Sequence, residues 1–162
     1  MTTELYQSPL PSRHAVRSLI EDLVGRNVEI NDCEPIPARP TNVVAVYVDD
    51  QTSMSAVAVC DLSCAAYLGG ALGLLPQGGV EDAIDEKDLY PLLRDNCYEV
   101  LNVLASVFNV PGAPHVRLYE MYGPSDAVPG DVANLAYAVG GRVDVVVSIT
   151  GYGDGCLSVI VK

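Results

Sequence analysis

The β-forming stretches of this chain come mostly as neighbours joined by short polar or glycine-rich connections, and that pairing constrains the fold more than any other feature. Arg142–Thr150 and Cys156–Val161 are Val-rich runs joined by Gly151-Tyr-Gly-Asp-Gly155, a strong hairpin signal. Asn42–Val48 and Ser53–Asp61, the latter alternating around Ala56, Val57, Ala58 and Val59, are separated by Asp49-Asp50-Gln51-Thr52. Hairpins make antiparallel neighbours, whereas a doubly wound sheet needs a crossover between successive strands. The expected fold is therefore α+β, a mainly antiparallel sheet with long helices packed on it.

The remaining elements fit between these hairpins. Residues 12–25 read as a helix, with Ser12 as N-cap, Val16, Leu19, Ile20 and Leu23 at helical spacing, and Gly25 at the stop. Val28-Glu29-Ile30 is a short strand, and Pro35, Pro37 and Pro40 mark a loop. Ser63–Leu75 reads as a small-residue helix capped by Ser63. Its Gly69, Gly70 and Gly73 either weaken it or permit close packing. Pro76–Gly79 reads as a break and Glu81–Lys87 as an exposed acidic segment. Asp88–Asn109 is the strongest helix, with Asp88 as cap and Pro91 in the first turn. His115–Tyr122 is a strand, and 130–139 is a short helix or an irregular insert. No internal repeat is visible.

At 162 residues the chain fits one domain, 1–162, with 1–11 expected as a flexible N-terminal segment. Hydrophobic residues make up 49%, enough for a packed core, and with Trp absent and Phe single the nine Tyr and many Val and Ala must fill it. Acidic residues outnumber basic ones 21 to 9, for a net charge of −12. That balance argues against a nucleic-acid or an anionic-membrane partner, both of which call for Lys and Arg. No apolar run approaches the roughly 18 residues that suggest a membrane span, and Met1–Pro11 shows no signal-peptide pattern. The expectation is a cytoplasmic protein whose five cysteines (33, 60, 64, 97 and 156) are reduced and mostly buried.

On a helical wheel, Leu89, Leu93, Cys97, Val100, Leu101, Leu104, Val107 and Phe108 share one arc. Asp95, Glu99, Asn102 and Ser106 form a narrow polar stripe opposite. Most such stripes are solvated helix faces, but Asn is a mediocre mid-helix residue where Lys, Glu or Gln would serve better.

Asp95-Asn-Cys-Tyr-Glu99-Val-Leu-Asn102 fits Asp/Ser-x3-Glu-x2-Asn, and Pro124 follows at a spacing close to the motif's proline. In these residues, and in its order of elements over roughly 12–161, the chain resembles the chemotaxis phosphatase family of CheX, CheC and FliY, with one motif copy as in CheX. The resemblance implies a phosphatase acting on the aspartyl phosphate of a CheY-like response-regulator receiver. Asn102 would orient the attacking water, Glu99 would dock on the receiver's active-site Lys, and Asp95 would contribute to the docking surface. It also implies a homodimer, and a Mg²⁺ supplied by the receiver, with no cofactor or metal ligand of the chain's own. The sequence departs from the pattern at Ser106, where the family often has Gly, and over 125–141, which reads as a divergent insert. Those departures motivate the alternatives of a non-catalytic interaction domain or a motility-associated scaffold. Exposure of Glu99 and Asn102 favours the phosphatase; occlusion by 125–141 favours the others. The closing Val-rich strands are the expected edge for sheet-to-sheet dimerisation.

Other constellations read as structure. Asp49 and Asp50 suit a turn better than a metal site, since strand alternation points adjacent carboxylates apart. The 81–88 acids lack a calcium-loop pattern, and Cys60 and Cys64 lack the partners of a zinc site. Neither a G-x-S-x-G elbow nor a P-loop is present. Arg13, His14 and Arg17 read as a solvated helix face.

Overall fold

The structure, a computed structural model, describes residues 7–162. Its six strands form one sheet in the order β1-β5-β6-β3-β2-β4. They are β1 (Val28–Asp32), β2 (Val43–Val48), β3 (Met54–Cys60), β4 (Arg117–Tyr122), β5 (Arg142–Ile149) and β6 (Gly153–Val161). Every neighbouring pair is antiparallel. Five helices pack on this sheet: α1 (Arg13–Val24), α2 (Leu62–Leu72), α3 (Gln77–Asp85), α4 (Pro91–Leu104) and α5 (Gly130–Ala136).

The continuous burial of β2 follows from its position, because a central strand is covered on both faces. Val43, Ala45 and Tyr47 point into a large core with α1, α2 and α4, while Val44, Val46 and Val48 point into a smaller one with Ile36 and α5. In β6, Leu157 and Val159 belong to the first core and Ile160 to the second. The molecule is therefore three layers, with α5 and the β1–β2 crossover on the face opposite α4.

Several local expectations hold. The Ser12 side chain accepts from the Ala15 N–H at 3.0 Å, and Gly25 closes α1 in the left-handed region at φ 66°. Asp49 is a turn residue, its Oδ1 accepting the N–H groups of Gln51 and Ser53. The stretch 130–139 contains α5. Residues 1–6 of the expected flexible segment lie outside the described residues; beyond them, Ser8 and Pro11 are buried.

Four expectations are corrected. Asp88 does not cap α4: Pro91 holds Tyr90 in the extended region, so the helix starts at Pro91 itself. Asp61, not Ser63, caps α2, its carboxylate accepting from the Cys64 N–H at 2.8 Å. The supposed break and acidic segment are α3, where Gly78 and Gly79 fall in the first turn and Val80 and Ala83 are buried. The closing strands offer no edge, because β5 lies between β1 and β6, and β6 between β5 and β3. The sheet's edges are β1 and β4.

Candidate functional site

Helix α4 is held firmly from below. Leu93, Cys97, Val100, Leu101 and Leu104 are buried, and the Tyr47 hydroxyl donates to the Leu101 carbonyl at 2.6 Å inside the core. Tyr47 also packs against Phe108 with ring centroids 5.3 Å apart. On the α2 side the Asn96 amide donates to the Gly69 carbonyl at 3.0 Å. Past a closing 3₁₀ turn, Asn109 ties the helix end to the residue before β4, accepting from the Val116 N–H at 2.8 Å and donating to its carbonyl at 3.0 Å.

The opposite face of α4 is open. Asp95, Glu99, Asn102 and Ser106 are all exposed. Among the described residues none of their side chains makes a hydrogen bond or ion pair. Glu99 and Asn102, three apart on the helix, lie with Cβ atoms about 5–6 Å from each other. Leu92, 56% exposed, continues the stripe toward the N-terminus, and Tyr98, 40% exposed, lies beside it. The structure thus brings Asp95, Glu99 and Asn102 onto one accessible surface. A carboxamide there can accept two hydrogen bonds and donate two, and a carboxylate one turn away supplies a charge.

Pro124 sits in the turn after β4, and that turn is fixed to α4. Asp126 Oδ2 accepts from Arg94 Nη2 at 2.7 Å and from the Gly123 N–H at 2.8 Å. Those bonds, the arginine's first, hold the Asp126 carboxyl below its ordinary range. Gly123 leaves room for the guanidinium in this position: a Cβ there would lie 2.4 Å from Arg94 Nη1, so the side chain would have to shift. Sequence reasoning missed the Arg94–Asp126 pair; nothing local marks two residues so far apart in the chain. The 125–141 segment leaves Glu99 and Asn102 uncovered, since α5 packs Val132 and Ala136 against the far face of the sheet.

Among the described residues, no group of three or more His, Cys, Asp or Glu is placed to hold a metal ion, and no helix is long and apolar enough to cross a membrane.

Fold and surface define an α+β protein that displays an acid–amide stripe on a helix braced by an antiparallel sheet. The same architecture occurs in several solved structures. A chain of the CheX–CheY–BeF3–Mg²⁺ complex from Borrelia burgdorferi is similar over 91% of this chain and 93% of that one, with TM-score 0.55 and 9% identity. A chain of the FliM–SpeE complex from H. pylori is similar over 91% and 80%, with TM-score 0.64 and 10% identity. The FliM middle domain from H. pylori is similar over 91% and 83%, with TM-score 0.53 and 13% identity. The chain has the fold of CheX and of the FliM middle domain, in agreement with the resemblance read from its motif. No family model and no curated protein sequence matches it.

Proposed function

We propose that this protein docks on a phosphorylated response-regulator receiver and hastens loss of its aspartyl phosphate. The observation that carries the reading is the exposure of Glu99 and Asn102 together, without partners among the described residues, on a helix whose other face is locked into the core. Support comes from the fold shared with a complex whose name includes CheX and CheY.

An acyl phosphate is already reactive, so a helper protein needs chiefly to position water in line and exclude poor geometries. The Asn102 carboxamide accepts a hydrogen bond from that water and donates to a phosphoryl oxygen, with no shifted pKa required. Glu99 pairs with a receiver cation and sets the register, and Asp95 extends the contact. Mg²⁺ belongs to the receiver in this proposal, and the setting is the cytoplasm. The protein works as a homodimer in the same reading, joined through the β1 or β4 edge.

The test measures phosphate loss from candidate receivers with wild type and with Asn102→Ala. The expected outcome is acceleration by wild type, reduced about 100-fold in Asn102→Ala while binding persists, the size of effect seen when one positioned hydrogen-bonding group is removed from an active site. Glu99→Ala is expected to weaken binding by about tenfold.

A second reading, a non-catalytic interaction domain, is favoured by Ser106 at a position where the motif family often has Gly, and by the fold shared with the FliM middle domain. Binding of a receiver with no change in its decay selects this reading over the first.

A further inference from the structure

We infer that Cys33 and Cys156 form a redox-responsive pair that closes into one intramolecular disulfide under a peroxide or disulfide oxidant. Their sulfur atoms lie 2.7 Å apart, closer than unbonded sulfurs ordinarily approach. Both residues are half-buried, so an oxidant can reach them, whereas Cys60, Cys64 and Cys97 are buried.

The position gives the bond a structural consequence. Cys33 follows β1 directly, its N–H donating to the Asp144 carbonyl at 3.2 Å. Cys156 lies on β6, packed against the smaller core. Strand β5 runs between β1 and β6, so the contact between the two sulfurs reaches across β5. From there the crossover runs on to buried Ile36 in the smaller core and to Pro37, whose carbonyl accepts from the Asn42 amide at 2.8 Å. A Cys33–Cys156 bond staples the root of this crossover to the middle of the sheet. It lies on the face opposite α4 and does not depend on what Glu99 and Asn102 do.

The chemistry balances with two electrons. With hydrogen peroxide, one thiolate of the pair attacks one oxygen, the O–O bond breaks, and a sulfenic acid and water result. The other sulfur then attacks the sulfenic sulfur, its proton leaving with the displaced hydroxyl as a second water. With glutathione disulfide, two successive exchanges release two glutathione molecules. Burial, the contact with Cys33 and the nearby Asp61 carboxylate push the Cys156 thiol up.

The test is oxidation of the purified full chain with hydrogen peroxide or with glutathione disulfide, followed by denaturing alkylation, intact mass and peptide mapping without reduction. The expected result is loss of two hydrogens, a Cys33–Cys156 cross-linked peptide, and Cys60, Cys64 and Cys97 alkylated. The closed loop exceeds 100 residues, so the oxidised protein is expected to melt about 5 °C or more above the reduced one, and dithiothreitol should restore the lower Tm. Cys33→Ser, which lies outside the strands, should fold as wild type does and show neither the cross-link nor the shift. Retention of five alkylatable thiols, a bond between other cysteines, a dimeric cross-link, or an unchanged Tm after the bond has formed overturns the inference.

Discussion

At the residue scale, the bond from Asp126 to Arg94 carries a defined pH signature. The folded carboxyl titrates below its ordinary value because Arg94 and the Gly123 N–H both bind its charged form. A depressed folded pKa adds stability that is fully present above the unfolded value, about 4, and is lost as pH falls through the folded one. Both side chains are over a third exposed, so the contribution is small and salt-screened. Asp126→Asn is therefore expected to lower Tm slightly at pH 7, with the difference from wild type shrinking as pH falls below about 4 in melts run from pH 2 to 7. A difference that persists unchanged into acid removes the ion pair as its cause. Asn102 and Glu99, by contrast, were legible in the sequence because helical periodicity alone sets them opposite the apolar arc. Arg94 was not, because a tertiary contact selects its partner.

At the scale of elements, the glycines of α2 turn out to be contact points. A Cβ at Gly69 would lie 2.5 Å from the Leu93 carbonyl oxygen, and one at Gly70 2.5 Å from Val80 Cγ2. Helices α4 and α3 therefore approach α2 more closely than side chains would allow. Gly69→Ala gains about 1 kcal/mol in helix propensity but must move the backbone of α4. The expected net effect is a loss of about 2 kcal/mol in urea unfolding; a more stable variant would show that α4 shifts at little cost. The same residue type explains where the sequence misled. Glycines between Pro76 and Val80 read as a break because glycine serves turns as readily as a helix's first turn, whose N–H groups lack helical partners anyway. Only the burial of Val80 and Ala83, a property of the assembled core, separates the two.

For the molecule as a whole, the net charge of −12 would work at long range against the proposed docking on a receiver whose own site is acidic. Long-range repulsion leaves docking to local pairing and to apolar contacts such as exposed Leu92 and Tyr98. Raising salt from about 50 to 500 mM is expected to leave receiver affinity unchanged or improve it, and a steep loss in a titration would contradict this picture. The antiparallel class of the sheet was legible from its hairpins, but the strand order was not, since hairpins fix neighbours and leave the joins between them open. In the structure the central place of β6 shows as unbroken burial from Leu157 to Ile160, the mark of a strand covered on both faces. That placement also governs how the chain comes to be folded in a cell. Among the six strands β6 is made after all the others, so β3 waits with one hydrogen-bonding edge bare until residues 153–161 follow. During synthesis the Val-rich β2–β3 hairpin is a template for wrong pairing, and β6 is the segment that retires it.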